Sequence, residues 1–384
     1  MKKEKLPFSL EEYRERLARV RRRMKEKGVE SLLITAPENI YYLTGYHTLG
    51  YFSYQLLVVP LKQEPILLTR HLNVENAYVI SWLNRIEGYK DTENPNDATY
   101  NVLHKYGLID KPIGNQGNAW FFTVAQYLDL RRRLGNRNLV DCSGLVEQVR
   151  LIKSKREIAY IRKAAQVCGA SLEGAVSAVA PGRTENDVAA ACHKSLIEAG
   201  SEYLGHPPMV ITGPAGGLAF ATWHRRRIKA NDVVYLEGGG TFQRYNAALS
   251  RTVIIGHPNK KWVRMAEASK EALNLAIEAI KPGVTSGEVD RVCRDHIRKA
   301  GYAEYFQHRT GYSIGIGFPP DWGEGRTQSI KEGDPTPLQP GMVFHLIPDL
   351  KVVNEGGVVF SETVLVTEKG HEVLTRYPQE LFYK

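Results

Sequence analysis

Pro181-Gly-Arg-Thr-Glu-Asn-Asp-Val188, with Cys192 and Ala199-Gly200 behind it, returns 101 residues later as Pro282-Gly-Val-Thr-Ser-Gly-Glu-Val289, with Cys293 and Ala300-Gly301. Seven of the twenty positions in this window are identical at one constant offset. Each copy reads as a helix, a Pro-Gly turn, and a second helix capped by its Thr and closed by its Gly. β-rich sequence follows each copy, over 210–255 and 342–367. A duplicated helix–helix–sheet unit implies two halves about a pseudo-twofold axis, with a pocket where they meet.

Upstream the pattern changes. Ser9-Leu-Glu-Glu12 reads as a capping box. Leu17, Val20 and Met24 follow at helical spacing until Gly28. Strand-like apolar runs at 31–35, 56–61 and 65–69 alternate with helical stretches at 98–106 and 124–134. That alternation predicts an α/β domain with a largely parallel sheet. It ends near 145–151, where a second capping box, Ser154-Lys-Arg-Glu157, opens a long helix. The expected organisation is an α/β N-terminal domain over 1–150 and a duplicated α+β domain over 151–384.

At 384 residues, 43% hydrophobic and 24% charged, the composition is that of a soluble globular protein. No run approaches the roughly 18 apolar residues of a membrane helix. The N-terminal Met-Lys-Lys-Glu-Lys lacks the apolar stretch of a signal peptide. Cys142, Cys168, Cys192 and Cys293 stand far apart and read as reduced, buried thiols of a cytoplasmic protein. The net charge of +9 is spread along the chain, and its densest run, 14–27, alternates with Glu and apolar residues as a solvated helix face does. No nucleic-acid module is present. A modest positive field suits an anionic or zwitterionic substrate.

Glu237 follows Val233-Val-Tyr-Leu and precedes Gly238-Gly-Gly240, which reads as an acid at a strand end beside glycines that admit a ligand. The triplet is not a dinucleotide fingerprint. This stretch continues to Tyr245-Asn-Ala-Ala-Leu-Ser-Arg-Thr252. Two more segments belong with it: His308-Arg-Thr-Gly-Tyr-Ser-Ile-Gly315, and Gly341-Met-Val-Phe-His-Leu-Ile-Pro348 with Gly357-Val-Val-Phe-Ser-Glu-Thr-Val-Leu-Val-Thr367. Together they resemble the pita-bread family of aminopeptidase P, prolidase and creatinase, over nearly the whole chain. The metal enzymes of that family hold two divalent ions with two Asp, one His and two Glu. The corresponding positions here read Glu237, Ala248, Tyr312, Ile347 and Ser361, so one carboxylate is kept. Ala and Ile offer no ligand. The expectation is a site with no metal and no other cofactor.

The resemblance implies the remaining site residues. Tyr245, Asn246 and Arg251 surround Ala248, and Arg251 has the fork to bind a carboxylate. Tyr312 offers a hydroxyl to a substrate nitrogen, and His308 is a candidate proton carrier. Asp321 and Glu324 sit on a Pro-rich stretch read as an irregular pocket rim. His345 and Asp349 lie on a strand of which only one face points inward. Glu362, one residue past Ser361, points to the opposite face and is no replacement ligand. Creatinase carries its proton-transferring His twelve residues before a strand-start Asp; counting back from Asp232, that position is Phe220. His224, four residues on, is the candidate substitute, with Phe220 and Trp223 as pocket residues.

Gly311-Tyr-Ser-Ile-Gly, Pro319-Pro-Asp-Trp-Gly-Glu324 and Ala221-Thr-Trp223 resemble the ectoine hydrolase-like branch, although Phe220 and Asn246 replace the His expected there. Gly50-Tyr-Phe-Ser-Tyr-Gln55 occupies a segment that reaches into the partner's pocket in related dimers. Tyr51, Phe52 and Tyr54 read as an exposed ring cluster, which implies a homodimer with Phe52 at the substrate. The functional expectation is metal-independent hydrolysis of a non-peptide C–N bond in a small zwitterion or amidine. Glu237 would recognise the substrate cation and position water, and His308 or His224 would carry the proton. The alternatives are a metal-dependent Xaa-Pro dipeptidase or aminopeptidase P, and a non-catalytic binding protein on the same scaffold.

Overall fold

The Ser9 hydroxyl caps α1 (Leu10–Glu26), which buries Tyr13, Leu17, Val20 and Met24 on one face before Gly28, at φ 68°, turns the chain away. In the computed structural model, which describes residues 4–137, 139–257 and 259–384, the chain divides into two units, Met1–Arg150 and Leu151–Lys384.

The first unit continues through β1 (Ser31–Ile34), α2 (Pro37–Thr44), β2 (Leu56–Pro60), β3 (Ile66–Arg70), α3 (Val74–Ile80), β4 (Ile86–Tyr89), α4 (Pro95–Lys105), β5 (Ile113–Asn115), α5 (Val124–Arg133), β6 (Val140–Asp141) and α6 (Leu145–Arg150). Its sheet runs β4-β3-β2-β1-β5-β6. Contrary to the expectation of a largely parallel sheet, it is mixed: β2 pairs antiparallel with both β1 and β3. The five residues between β2 and β3 can only reverse the chain, whereas a parallel pair needs a long crossover. The ring cluster at 51–54 is also corrected. Tyr51 packs edge-on against Phe121 at 5.2 Å, and the Tyr54 hydroxyl meets Thr99 at 2.8 Å. Phe52 alone of the three is exposed, at 70%, beside Leu49 at 67%.

The second unit opens on α7 (Lys155–Ala178), whose capping box pairs Ser154 with Glu157. It then runs α8 (Glu185–Glu198), β7 (Met209–Thr212), β8 (Val233–Phe242), β9 (Tyr245–Ile254), α9 (Lys260–Ala279), α10 (Ser286–Lys299), β10 (Gly311–Phe318), β11 (Asp321–Gly323), β12 (Ser329–Ile330), β13 (Val343–Leu346), β14 (Leu350–Val352), β15 (Gly356–Val358), β16 (Glu362–Val366), β17 (His371–Val373) and β18 (Phe382–Tyr383). The main sheet is ordered β17-β16-β13-β10-β9-β8-β7. The sequence repeat becomes a structural one. Thr184 and Thr285 each close a capping box on a helix of 14 residues, α8 and α10. Gly182 and Gly283 take φ 81° and 85°, which suits glycine, and each amide bonds 2.9 Å to the strand lead-in, at Ile228 and Leu338 respectively. β8 and β13 then begin five residues after those acceptors in both halves.

Candidate active site

Glu237 is the fifth of ten residues in β8, not a strand terminus. The strand runs on through the glycines because the protein itself fills the space beside them. A Cβ on Gly240 would stand 2.1 Å from the Ala164 carbonyl of α7, and one on Gly239 would stand 2.6 Å from the Trp322 ring. Alternation puts Gly240 against α7 and leaves Glu237 and Gly239 on the opposite face, with Trp322.

That face carries a continuous hydrogen-bonded chain. Glu237 pairs with Ser250 across the β8–β9 ladder, and Tyr312 pairs with His345 across β10–β13. Directly opposed residues share a face. The Trp322 indole N–H donates to the Tyr312 oxygen at 3.0 Å, and the Tyr312 hydroxyl lies 2.9 Å from His345 Nδ1. His345 Nε2 is 2.7 Å from Ser361 Oγ, which donates to Ser250 Oγ at 3.0 Å. Because Ser361 spends its proton on Ser250, its oxygen accepts from Nε2–H. Nδ1 is then the bare nitrogen, and Tyr312 donates to it. Burial, and next the neighbouring His308, pulls His345 down to about 3, so the ring is neutral.

Glu237 is buried and accepts from the Tyr235 hydroxyl at 3.3 Å. Burial raises its pKa above the usual carboxylate range, while His206, Lys351 and Tyr235 pull the other way. Tyr235, Ile347, Met209, Ile211 and Val359 form the apolar wall, against which Tyr312 and Ala221 pack. Lys351 ion-pairs with Asp349 and places its ammonium 5.0 Å from the Tyr235 ring centre. Burial brings Lys351 down to about 8 against the attraction of Glu237. His308 lies edge-on to Tyr312 at 6.4 Å, and burial, with Arg309 and Lys351 next, takes it down to about 4.

The structure therefore gathers Glu237, Tyr312, His345 and His308, and adds Tyr235, Ser250 and Lys351, which sequence reasoning did not single out. Tyr235 and Ser250 were recoverable from strand periodicity around Glu237 and Ala248; Lys351 carried no such signal. Other assignments are corrected. Arg251 alternates away from Ser250 and spends its guanidinium on the Pro378, Ser250, Ser361 and Tyr377 carbonyls and on Glu362 at 2.6 Å, so it ties down the C-terminal segment. Tyr245 donates to Glu157 at 2.8 Å, under α7. Asn246 is consumed within the sheet, accepting from Thr241 and donating to the carbonyls of Arg244 and, on β10, Gly315. His224 is exposed, and its backbone amide is what binds Glu185, at 2.7 Å. Phe220 is 78% exposed at φ 56°, and Trp223 stacks edge-on with His193 of α8. Asp321 is exposed, its carboxylate accepting from the Gly323 amide at 2.8 Å. Part of this stretch is strand, since β11 pairs with β10 across a shift of register, and Glu324 is buried against Lys153 at 2.6 Å.

Comparison with known proteins agrees with this architecture. The family model for metallopeptidase family M24 matches residues 159–368, and that for the creatinase/prolidase N-terminal domain matches 16–152. The chain is 31% identical to an ectoine hydrolase of Halomonas elongata, over 99% of both chains. It is 34% identical to an uncharacterized hydrolase/peptidase of Sinorhizobium fredii, also over 99% of both. A prolidase of Thermococcus sibiricus superposes with TM-score 0.87 at 25% identity, over 97% of this chain and 99% of the other.

The family name implies metal, but the donors present do not fit it. Ala248 and Ile347 have none to offer, and the Tyr312 and Ser361 hydroxyls are engaged with His345. Among the described residues no group of three or more His, Cys, Asp or Glu is arranged to hold a metal ion. What the relatives share with this chain is the scaffold, over nearly its whole length: the chain belongs to metallopeptidase family M24 and is a hydrolase of that family.

Proposed function

We propose that the protein hydrolyses a non-peptide C–N bond in a small zwitterionic amidine, of the kind ectoine represents, without a metal ion. The observation that carries this reading is the replacement of ligand positions by a hydrogen-bonded frame. Tyr312 and Ser361 are joined through neutral His345, and Glu237 is a buried acid on the same face. A cationic amidinium pairs with a buried carboxylate. Glu237, with its raised pKa, takes a proton from the attacking water as the water oxygen bonds to the amidine carbon. It returns that proton to the ring nitrogen as the C–N bond breaks, and the hydroxyl proton passes to the released amine as the oxygen becomes the amide carbonyl. Tyr312, His345 and Ser361 act as positioning residues that hold the pocket's polar groups in one arrangement. His308, depressed to about 4, is neutral at physiological pH, so it is not the resting proton donor. The 31% identity to an ectoine hydrolase supports the substrate class.

The likeness to prolidases favours a second reading, cleavage of Xaa-Pro dipeptides. One experiment separates the two. Chelator-treated protein is incubated with ectoine, and in parallel with Xaa-Pro dipeptides plus manganese, and products are followed by proton NMR. Ring opening of ectoine to the N-acetyl diamino acid without added metal is expected. Dipeptide cleavage that depends on manganese, with ectoine untouched, would overturn the proposal.

A further inference from the structure

The cationic side of the site has no part in the reaction above. The Lys351 ammonium stands 5.0 Å from the Tyr235 ring centre, and the Arg309 guanidinium stands 5.0 Å from that of Tyr312. The two rings meet in one apolar cluster with Ile347, and the Tyr235 hydroxyl turns to Glu237. His308 is edge-on to Tyr312 and feels both cations. The site thus sets the Glu237 acid at one end of the tyrosine pair and cations along it, one of which, Lys351, is paired with buried Asp349.

Asp349 holds the Lys351 ammonium in a direct ion pair, which occupies one of its three donors. His308 Nδ1 and Arg309 Nε are buried and have no hydrogen-bond partner among the described residues. Buried polar atoms left in this state cost free energy unless a ligand or water meets them. A carboxylate has two oxygens, one to accept from the Arg309 Nε–H and one from His308 Nδ1 in the tautomer that carries its proton there.

We propose that Lys351, with Arg309 and His308 beside it, forms a subsite for the carboxylate of a zwitterionic ligand whose cationic end meets Glu237. This deepens the amidine hydrolase reading and rests on it. The subsite would select carboxylated cyclic amidines over their neutral-substituent analogues, and it fixes which end of the molecule reaches Glu237.

The test compares ectoine with its decarboxylated analogue, 2-methyl-1,4,5,6-tetrahydropyrimidine, by titration calorimetry on native protein, Lys351→Met and Lys351→Arg. Native protein is expected to prefer ectoine by at least about tenfold, the worth of a charge-assisted contact. In Lys351→Met that preference collapses to within about twofold while affinity for the analogue is kept, and Lys351→Arg restores part of it. Unchanged discrimination in Lys351→Met overturns the subsite but leaves the hydrolase reading standing. Failure of native protein to bind either compound overturns the amidine reading, and the subsite falls with it. Equal loss of both ligands in a variant whose melting temperature is unchanged assigns Lys351 to pocket packing and also refutes the subsite.

Discussion

Glu237 and Ser250 face each other across a ladder whose residues alternate between the site face and the α7 face, so single substitutions there have separable effects. Glu237→Gln keeps the side-chain shape and removes both charge and basicity. Turnover of ectoine is expected to fall on the order of a hundredfold or more, because the variant has no group to take the proton of water. Its melting temperature should hold or rise, since a buried carboxyl whose ionised form is disfavoured no longer has to be accommodated. Steady-state kinetics beside a thermal melt decides the matter; a lower melting temperature with turnover intact would make Glu237 structural.

The buried imidazoles set a pH limit. The folded-state values of His308, about 4, and His345, about 3, lie below the ordinary 6.5. The folded state therefore binds fewer protons than the unfolded chain across that interval. The stability from keeping them neutral is full above pH 6.5 and is lost as pH falls through the folded values. For His308 the loss amounts to about 3 kcal/mol by the usual conversion of one pKa unit. Urea titrations at pH 7.5, 5.5 and 4.5 should show this decline, and it should be shallower in His308→Gln. At this scale strand alternation made it legible that Glu237, Tyr312 and His345 share one face of the sheet. The sequence misled where a nearby residue of suitable chemistry alternates outward, as Arg251 does, or is consumed within the sheet, as Asn246 is.

The elements explain why so much of the fold was legible. Capping boxes are local, so Ser154, Thr184 and Thr285 announced α7, α8 and α10 without knowledge of the tertiary structure. The glycines of β8 were misread because their reason is tertiary: they admit α7 and Trp322 rather than a ligand. Gly240→Ala should therefore destabilise the protein by about 1–3 kcal/mol through overpacking, since the obstacle is the Ala164 carbonyl and not a flexible side chain. Gly370→Ala, where nothing lies within 4 Å, is the control and should be near neutral by denaturant midpoint.

For the whole molecule, the repeat indicated two related halves in the second unit. Lys351 stayed hidden because its neighbours Tyr235 and Glu237 lie more than a hundred residues away in sequence. Leu49 and Phe52, exposed apolar side chains three residues apart in the first unit, bear on assembly. A homodimer is the expected state, and light scattering at micromolar concentration should give twice the 43.2 kDa chain mass. Phe52→Ser is expected to weaken that dimer; a native protein that scatters as a monomer removes the basis for any shared pocket.

Trp322 makes the site optically readable. Its indole is buried, it donates to the Tyr312 hydroxyl, and its ring covers the strand two residues beyond Glu237. A ligand seated between Glu237 and Tyr312 changes the dipoles around that ring, and emission wavelength follows such changes. The chain has five tryptophans, so the difference between native protein and Trp322→Phe isolates the signal. Occupancy can then be followed in real time without a label, a chromogenic substrate or turnover.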